Sequence, residues 1–276
     1  TLFLTTNRAQ VFLWWGGEKK KKGIVAGCIY LKKEKRGNSR HDIMNIINNN
    51  LFKRVYNKLT GIPYIISYSQ TGEDIIIDFL VGARKIKDFT YLDIGANDPV
   101  KINNTYKFYE AGYRGVCIEP DPAVYAKLSK KRPKDICLNI GLAGKASGNA
   151  EFFVMNQAGL NTFSKEEATA LERNNQGKIM KVIQVPLRTV EEVINEHFGG
   201  KSPVFVNIDV EGLDEEILRH FPFHKYRPAI FCVETVNYTD DASSEKRKEI
   251  FDIMTSNGYK PFADTYLNTI FIEDRK

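Results

Sequence analysis

An acidic residue and a glycine stand where a predicted strand ends. Asp93 lies inside the apolar run Phe89–Ile94, and Gly95 and Asn97 follow that run directly. Glycine at this position lets the backbone turn tightly and approach a ligand closely. A helix is predicted next, over Asn103–Ala111. Strand, glycine turn and helix form the opening of a nucleotide-binding βαβ unit.

This turn lacks the glycine pattern of dinucleotide-binding proteins. Gly95 is followed by Ala-Asn-Asp-Pro rather than by the spacing G-x-G-x-x-G, so no diphosphate cradle is present. An acid at the strand end is a poor neighbour for phosphate and a good one for a cation. A ligand with an ammonium and a sulfonium group, such as S-adenosylmethionine, therefore fits better than NAD. An ordinary strand-to-helix turn is the alternative.

A second acid follows at the spacing expected for a ribose contact. The predicted strand Gly115–Ile118 ends in Glu119, Pro120 and Asp121. In nucleotide-binding α/β folds an acid at the end of the second strand accepts hydrogen bonds from ribose hydroxyls. We therefore place Glu119 and Asp121 among the cofactor-binding residues, with a solvated strand end as the alternative.

Two further segments supply candidate cofactor contacts. The predicted strand Asp135–Ile140 leads into Gly141 and Leu142, which could line an adenine pocket or form a plain turn. Upstream, Ser67–Leu80 predicts a helix capped by Thr71 or Gly72. Glu73 in its first turn is a cofactor-binding candidate, although negative charge is favoured at a helix start in any case.

Carboxylates also crowd the end of a later strand. The β-forming segment Pro203–Ile208 runs into Asp209 and Glu211, and ligands bind at the carboxyl edge of open α/β sheets. Asp209 is the leading candidate for a catalytic base and also a cofactor contact. Glu211 is the second candidate, with a helix-start carboxylate as its alternative. Asp209 and Glu234, which ends the next predicted strand, could instead share a Mg²⁺ ion.

Charge is distributed unevenly along the chain. Residues 1–60 hold 13 Lys and Arg against 3 Asp and Glu, and the remaining residues hold 27 against 31. The acidic balance of the larger part argues against a broad nucleic-acid-binding face. Residues 1–40 read as a basic leader, either poorly ordered or lying at an anionic membrane surface. The domain proper is expected over residues 41–276, beginning with an amphipathic helix over Asp42–Leu59.

The cysteines indicate the compartment. The four cysteines include no C-x-x-C, and Cys117, Cys137 and Cys232 lie in apolar runs predicted to be core strands. Reduced thiols suggest a cytoplasmic protein, with membrane association through the leader as an option.

The order of elements predicts the fold. Apolar strands alternate with helices, an insertion over Asn156–Gln176 interrupts them as an acceptor-side lid, and Tyr259–Ala263 and Thr269–Glu273 form a closing hairpin. This order is typical of an α/β, Rossmann-like class I methyltransferase. Its mostly parallel, doubly wound sheet ends in an antiparallel hairpin.

The ordered set of motifs resembles the FkbM-type methyltransferase family across roughly Tyr68–Ile272. The motifs are SYSQTGED (67–74), YLDIGAN (91–97), GVCIEPDP (115–122), VPLRTVEEVI (185–194) and VNIDVEG (206–212). The resemblance implies S-adenosylmethionine-dependent O-methylation of a sugar, polysaccharide or polyketide-like hydroxyl, and a setting in polysaccharide biosynthesis. Arg188 departs from the family, which usually has an acid there.

The sequence also allows a second function from another class. The chain could be a catalytically degenerate cofactor-fold module that acts as partner of a glycan-synthesis enzyme. The presence of Asp93, Glu119 and Asp209 together argues against it, because a degenerate site has no need of all three. We therefore expect an enzyme with a small-molecule or glycan acceptor and no nucleic-acid partner.

Overall fold

The computed structural model describes residues 2–6, 9–13, 29–31, 61, 65–145, 147–210, 213–236 and 245–274. The chain divides into two compact units, Thr1–Ile66 and Ser67–Lys276. The helix expected over Asp42–Leu59 and the candidate residue Glu211 lie outside the described residues. No helix in the described part of the chain is long and apolar enough to cross a bilayer.

The first unit contains a small antiparallel sheet. Its strands, paired in chain order, are β1 (Leu2–Thr6), β2 (Ala9–Leu13) and β3 (Ile29–Leu31). The interpretation of residues 1–40 as a leader that contacts a membrane stays a prediction.

Strands and helices alternate along the second unit, as predicted, with ends that differ by a few residues. The described helices are α1 (Glu73–Ala83), α2 (Tyr106–Glu110), α3 (Pro122–Lys131), α4 (Lys165–Arg173), α5 (Val190–His197), α6 (Asp214–Arg219) and α7 (Lys248–Ser256). The strands are β4 (Thr90–Ile94), β5 (Arg114–Ile118), β6 (Ile136–Leu138), β7 (Gly141–Ala143), β8 (Gly148–Met155), β9 (Ile179–Thr189), β10 (Phe205–Ile208), β11 (Ile230–Glu234), β12 (Tyr259–Asp264) and β13 (Asn268–Glu273).

Local chemistry explains where several helices begin. The Asp121 carboxylate accepts the first free N–H groups of α3, and Pro122 occupies the first turn, where no donor is needed. Thr189 and Glu192 form a reciprocal capping box at α5. Helix α1 begins after Gly72, which adopts a left-handed φ of 96° and makes no side-chain cap.

A seven-stranded sheet carries the second unit, in the order β12-β13-β11-β10-β4-β5-β6. The strands from β6 to β11 pair in parallel, whereas β13 is antiparallel to β11 and β12 is antiparallel to β13. This confirms the predicted fold class. The chain winds outward from β4 to β6 and later returns beside β4 as β10. The carboxyl ends of β4 and β10 therefore flank the switch point where such sheets bind ligands.

The segments that flank the predicted insertion form a separate three-stranded sheet, β7-β9-β8. The interpretation of Gly141 and Leu142 as a plain turn is wrong, because β7 pairs in parallel with β9 through Gly141 and Leu187. A Cβ at Gly141 would lie 2.4 Å from the Phe163 ring, so glycine permits this close packing. Arg188, which departs from the family pattern, forms an ion pair of 2.7 Å with Glu196.

Apolar side chains pack on both faces of the central sheet. In β10, Val206 and Ile208 belong to one buried cluster, whereas Phe205 belongs to the cluster on the opposite face. Strands that are buried on both faces consist of continuous apolar residues, so they could be predicted from the sequence. Cys117 and Cys232 are buried free thiols in these strands, as predicted.

A buried arginine ties helix α3 to the sheet. The Arg132 guanidinium is fully buried and lies 2.8 Å from the Asp135 carboxylate and 3.7 Å from that of Asp93. It also donates to the Tyr91 hydroxyl at 3.1 Å. Burial lowers the pKa of Arg132, but the nearby acidic groups raise it by more than burial lowers it. The guanidinium therefore stays charged. A cation at this point balances two buried acids.

Replacing Arg132 with Met should therefore destabilise the protein by about 3–5 kcal/mol, because Asp93 and Asp135 would lose their buried counter-charge. Urea unfolding measures the loss. The control is Lys260→Met, which breaks an exposed ion pair with Asp274 and should cost less than about 1 kcal/mol. Equal losses in the two variants would contradict the assigned role of Arg132.

Candidate functional site

The turn after β4 lies directly against the end of β10. Gly95 has a left-handed φ of 81°. A Cβ at Gly95 would lie 1.9 Å from the carbonyl oxygen of Asp209. The Asp209 N–H donates to the Ile94 carbonyl at 3.0 Å, which holds the two segments together. Glycine is needed here both for its backbone conformation and for this close approach.

The same turn reaches Glu119 at the end of β5. The Asn97 N–H donates to Glu119 Oε2 at 2.9 Å, and the Asp121 N–H donates to Glu119 Oε1 at 2.8 Å. Burial raises the pKa of Glu119 to about 7, although the two backbone donors oppose that rise. The structure thus brings together the predicted residues Gly95, Asn97 and Glu119.

Asp121 is occupied by protein groups. Its Oδ1 accepts from the Ala123 N–H at 2.7 Å at the start of α3. Its Oδ2 accepts from Asn161 Nδ2 at 3.0 Å, and Asn161 belongs to the insertion. Asp121 therefore connects the insertion to the segment that carries Glu119.

Asp93 lies beneath the turn. Asn207 Nδ2 donates to Asp93 Oδ1 at 2.9 Å, and the Thr105 hydroxyl donates to Asp93 Oδ2. Burial raises the pKa of Asp93, and Arg132, Thr105 and Asn207 work against that rise. Both carboxylate oxygens are engaged by protein donors, so Asp93 supports the site from inside.

Asp209 differs from the other acids. It follows β10 directly and is partly exposed, and no side chain in the described part of the chain donates a hydrogen bond to its carboxylate. Burial raises the pKa of Asp209 to about 7, and the nearby carboxylates of Asp214, Asp93 and Glu73 add to the rise. A carboxyl group with this pKa can exchange a proton near neutral pH.

Glu73 is buried at the start of α1. It accepts from the Thr265 hydroxyl at 2.6 Å, from Asn268 Nδ2 at 3.1 Å and from the Thr71 N–H at 3.0 Å. Burial raises the pKa of Glu73, but these hydrogen bonds outweigh burial and leave the pKa lowered. Glu73 therefore joins α1 to the β12–β13 turn as an ionised group.

Glu234 and Leu142 are the remaining candidates. Glu234 ends β11, which pairs in parallel with β10, so the strands of Asp209 and Glu234 are neighbours as predicted. Leu142 is buried in the apolar core cluster on one face of the sheet. Among the described residues, no three His, Cys, Asp or Glu side chains converge in a way that could hold a metal ion.

Sequence reasoning missed the polar residues that connect the acids. Asn103, Asn104 and Asn207 are buried and hydrogen-bonded to the β4 segment or to one another. Asn207 gave one available signal, because a polar residue inside an apolar strand needs a buried partner. The partners of Asn207, which are Asp93 and Asn104, lie more than one hundred residues away in sequence.

The donor set fits S-adenosylmethionine. Glu119 offers a carboxylate beside the glycine turn, at the position that holds ribose hydroxyls in this class of fold. Glu119 and Asp209 form no ion pair with a Lys or Arg side chain of the described residues, so the edge favours a cationic ligand over a phosphate. Gly95 keeps the turn free of a side chain that would block close approach.

Comparison with solved structures gives distant likenesses. The magnesium protoporphyrin IX methyltransferase ChlM from Synechocystis PCC 6803 with bound SAH is 9% identical, with a TM-score of 0.41, covering 84% of this chain and 98% of that chain. The O-methyltransferase from Bacillus cereus in complex with SAH is 12% identical, with a TM-score of 0.38, covering 84% of this chain and 94% of that one. No curated protein sequence matches the chain.

The family model described as the methyltransferase FkbM domain matches residues 93–261. The match covers more than half of the chain and includes Asp93, Glu119 and Asp209. It confirms the resemblance seen in the motifs. The chain therefore belongs to the FkbM methyltransferase family and is an S-adenosylmethionine-dependent methyltransferase.

Proposed function

We propose that the protein transfers a methyl group to a hydroxyl oxygen of a sugar, polysaccharide or polyketide-like acceptor. The observation that carries this proposal is the Asp209 carboxyl, whose pKa is raised to about 7 at the carboxyl edge of the sheet beside the glycine turn. An alcohol must lose its proton as it is methylated, and a carboxylate with this pKa can accept that proton near neutral pH. The acceptor class is the one that the family resemblance implies.

Glu119 holds the cofactor in this proposal. Its two oxygens each accept one backbone N–H and keep further lone pairs for the ribose hydroxyls. Gly95 and Asn97 shape the turn against the same ligand. Asp93 and Asp121 act through the groups they hold, since both already accept hydrogen bonds from protein donors.

Asp209 orients the acceptor and takes its proton. Bound S-adenosylmethionine supplies an activated methyl group, so the main work of the chain is to position the acceptor oxygen and remove its proton. The carboxylates of Asp214, Asp93 and Glu73 raise the proton affinity of Asp209. Glu211, two residues further along the chain, stays the second candidate for the base.

The insertion supplies the acceptor side of the site. Its residue Asn161 contacts Asp121, next to the end of β5, so the loop that follows β8 lies at the cofactor edge. Loops that cover such an edge determine which acceptor is bound. We assign the choice of acceptor to this segment, over residues 156–176.

The ionised form of Asp209 should lower the free energy of unfolding. Its pKa is higher in the folded protein than in the unfolded chain, so the folded state loses stability as pH rises from about 4 to about 7. Asp209→Asn should therefore raise the free energy of unfolding by about 1–3 kcal/mol at pH 8, and by less at pH 5. Urea unfolding at both pH values measures this. Asp252→Asn, on the exposed face of α7, is the control and should leave the free energy of unfolding almost unchanged. If Asp209→Asn also left it unchanged at pH 8, the ionised Asp209 carboxylate would not destabilise the folded protein.

Calorimetric titration tests the cofactor site. The protein should bind S-adenosylhomocysteine and not NAD. Glu119→Ala should weaken S-adenosylhomocysteine binding at least about tenfold, because the ribose hydroxyls lose a charged acceptor. Glu249→Ala, which removes an exposed acid in the first turn of α7, should bind like the wild type.

Unchanged affinity in Glu119→Ala would remove Glu119 from the cofactor site. If the folded wild-type protein bound neither ligand, the degenerate partner of a glycan-synthesis enzyme would replace the enzyme as the better proposal.

An acceptor screen tests the chemistry. With a sugar acceptor found by transfer of a radiolabelled methyl group, the rate should rise with pH up to about 7 and then level off, as the base loses its proton. Asp209→Asn should lower turnover by about 100-fold or more. The same reactions with Mg²⁺ and with EDTA test whether Asp209 and Glu234 share a metal ion. Full turnover by Asp209→Asn would exclude Asp209 as the base.

A further inference from the structure

We propose that Asn103 is a positioning residue of the cofactor site, whose side-chain amide holds the turn 95–98 in its ligand-binding shape. This inference rests on the proposed function, because it assigns a role in the same site. Asn103 is 3% exposed and lies between the turn and helix α2. It does not touch Glu119 or Asp209 in any described contact, so it acts through the backbone of the turn.

The amide nitrogen of Asn103 spans the turn. It donates to the Ala96 carbonyl at 2.9 Å and to the Asp98 carbonyl at 3.1 Å. These two carbonyls flank Asn97, whose φ is 46°. Both amide hydrogens are therefore used to fix the peptide groups 96–97 and 98–99, which bracket the left-handed Asn97 and its neighbour Asp98.

The amide oxygen of Asn103 faces the opposite way. It accepts from the N–H of Tyr106 at 2.7 Å, from the N–H of Thr105 at 3.0 Å and from Arg132 at 3.3 Å. Carbonyl oxygens lie on one side and N–H donors on the other, so the amide can adopt only one orientation. Asn103 thus couples the turn to the start of α2 and to the buried arginine.

The backbone beside Asn103 is strained. Ile102 has a φ of 50°, and its side chain is 66% exposed. A left-handed conformation is unfavourable for a β-branched residue, and burial of the side chain does not offset it here. Local preference therefore does not explain the conformation of Ile102. Within the segment, Asp98 Oδ1 accepts from the N–H groups of Val100 and Lys101 at 3.0 and 2.8 Å. Asn103 fixes the two ends, through its side-chain amide at the turn and through its N–H, which donates to the Tyr68 carbonyl at 3.0 Å.

The turn 95–98 also positions the groups that are assigned to cofactor binding. The Asn97 N–H meets Glu119 Oε2, and Gly95 lies against the Asp209 carbonyl. If the Ala96 and Asp98 carbonyls are released, Asn97 can leave its left-handed conformation and withdraw its N–H from Glu119. Only the fraction of molecules that keep the turn could then bind the ligand, which lowers the apparent affinity.

Asn103→Asp provides the test. The carboxylate keeps the acceptor for Thr105, Tyr106 and Arg132, but it removes both donors and places an oxygen against two carbonyls. We expect S-adenosylhomocysteine to bind at least tenfold more weakly by calorimetry. We also expect faster hydrogen exchange of the amides of Ala96–Lys101 in the ligand-free protein, measured by mass spectrometry. Asn103→Ser, which can still cap α2 but is too short to reach both carbonyls, should behave the same way and serves if the first variant fails to fold.

Tyr259→Phe is the control for a general loss of stability. It removes a buried hydrogen bond of 2.9 Å to the Pro228 carbonyl, near the amino end of β11. It should lower Tm while leaving S-adenosylhomocysteine affinity and the exchange of Ala96–Lys101 unchanged. An equal loss of affinity in this control would overturn the positioning role.

The results separate two kinds of failure. Faster exchange with unchanged affinity, or unchanged exchange in both Asn103 variants, would overturn the inference about Asn103. Absence of ligand binding by the wild-type protein would overturn the proposed function, and the exchange measurement would still decide whether Asn103 holds the turn.

Discussion

Compensation of buried charge is the constraint on which the rest of the second unit depends. Arg132 comes directly after helix α3 and lies between Asp93 in β4 and Asp135 before β6. Two buried carboxylates without a counter-charge would be very costly, and so would the guanidinium without them. Their mutual neutralisation allows an acid to lie inside the central strand, and the hydrogen bonds of Thr105 and Asn103 are arranged around the same guanidinium.

The acids of the site, unlike those of this buried network, are not neutralised by an arginine. The pKa values of Glu119 and Asp209 are raised to about 7, because Glu119 is buried and Asp209 is partly withdrawn from water, and neither pairs with a Lys or Arg side chain of the described residues. Such groups oppose folding when they are ionised, whereas a bound cation would relieve them. A site whose carboxylates are destabilised in the absence of ligand is suited to a positively charged ligand. It is also suited to a catalytic group that must accept and release a proton.

The sequence predicted the central sheet well and the connections of the site poorly. Continuous apolar runs and helix-start residues identified β4, β10 and α3, because these signals are local. Strand β7 was missed, since three residues become a strand only by pairing with β9 more than forty residues later. The acids at strand ends were identifiable because topology brings such ends to one edge. The bonds from the Asn103 side chain to the Ala96 carbonyl and from Asn207 to Asp93 were not, because the hydrogen bonds of a single polar side chain leave no periodic mark on the chain.

The two borders of the seven-stranded sheet are unlike its interior. On one side β6 is only three residues long. On the other, β12 contains Pro261, which has no N–H to offer, and its register with β13 shifts between Pro261 and Ala263. A strand of another molecule would find few consecutive backbone groups to pair with at either border. Both borders of this sheet therefore disfavour strand addition by another molecule, which is one common route to aggregation.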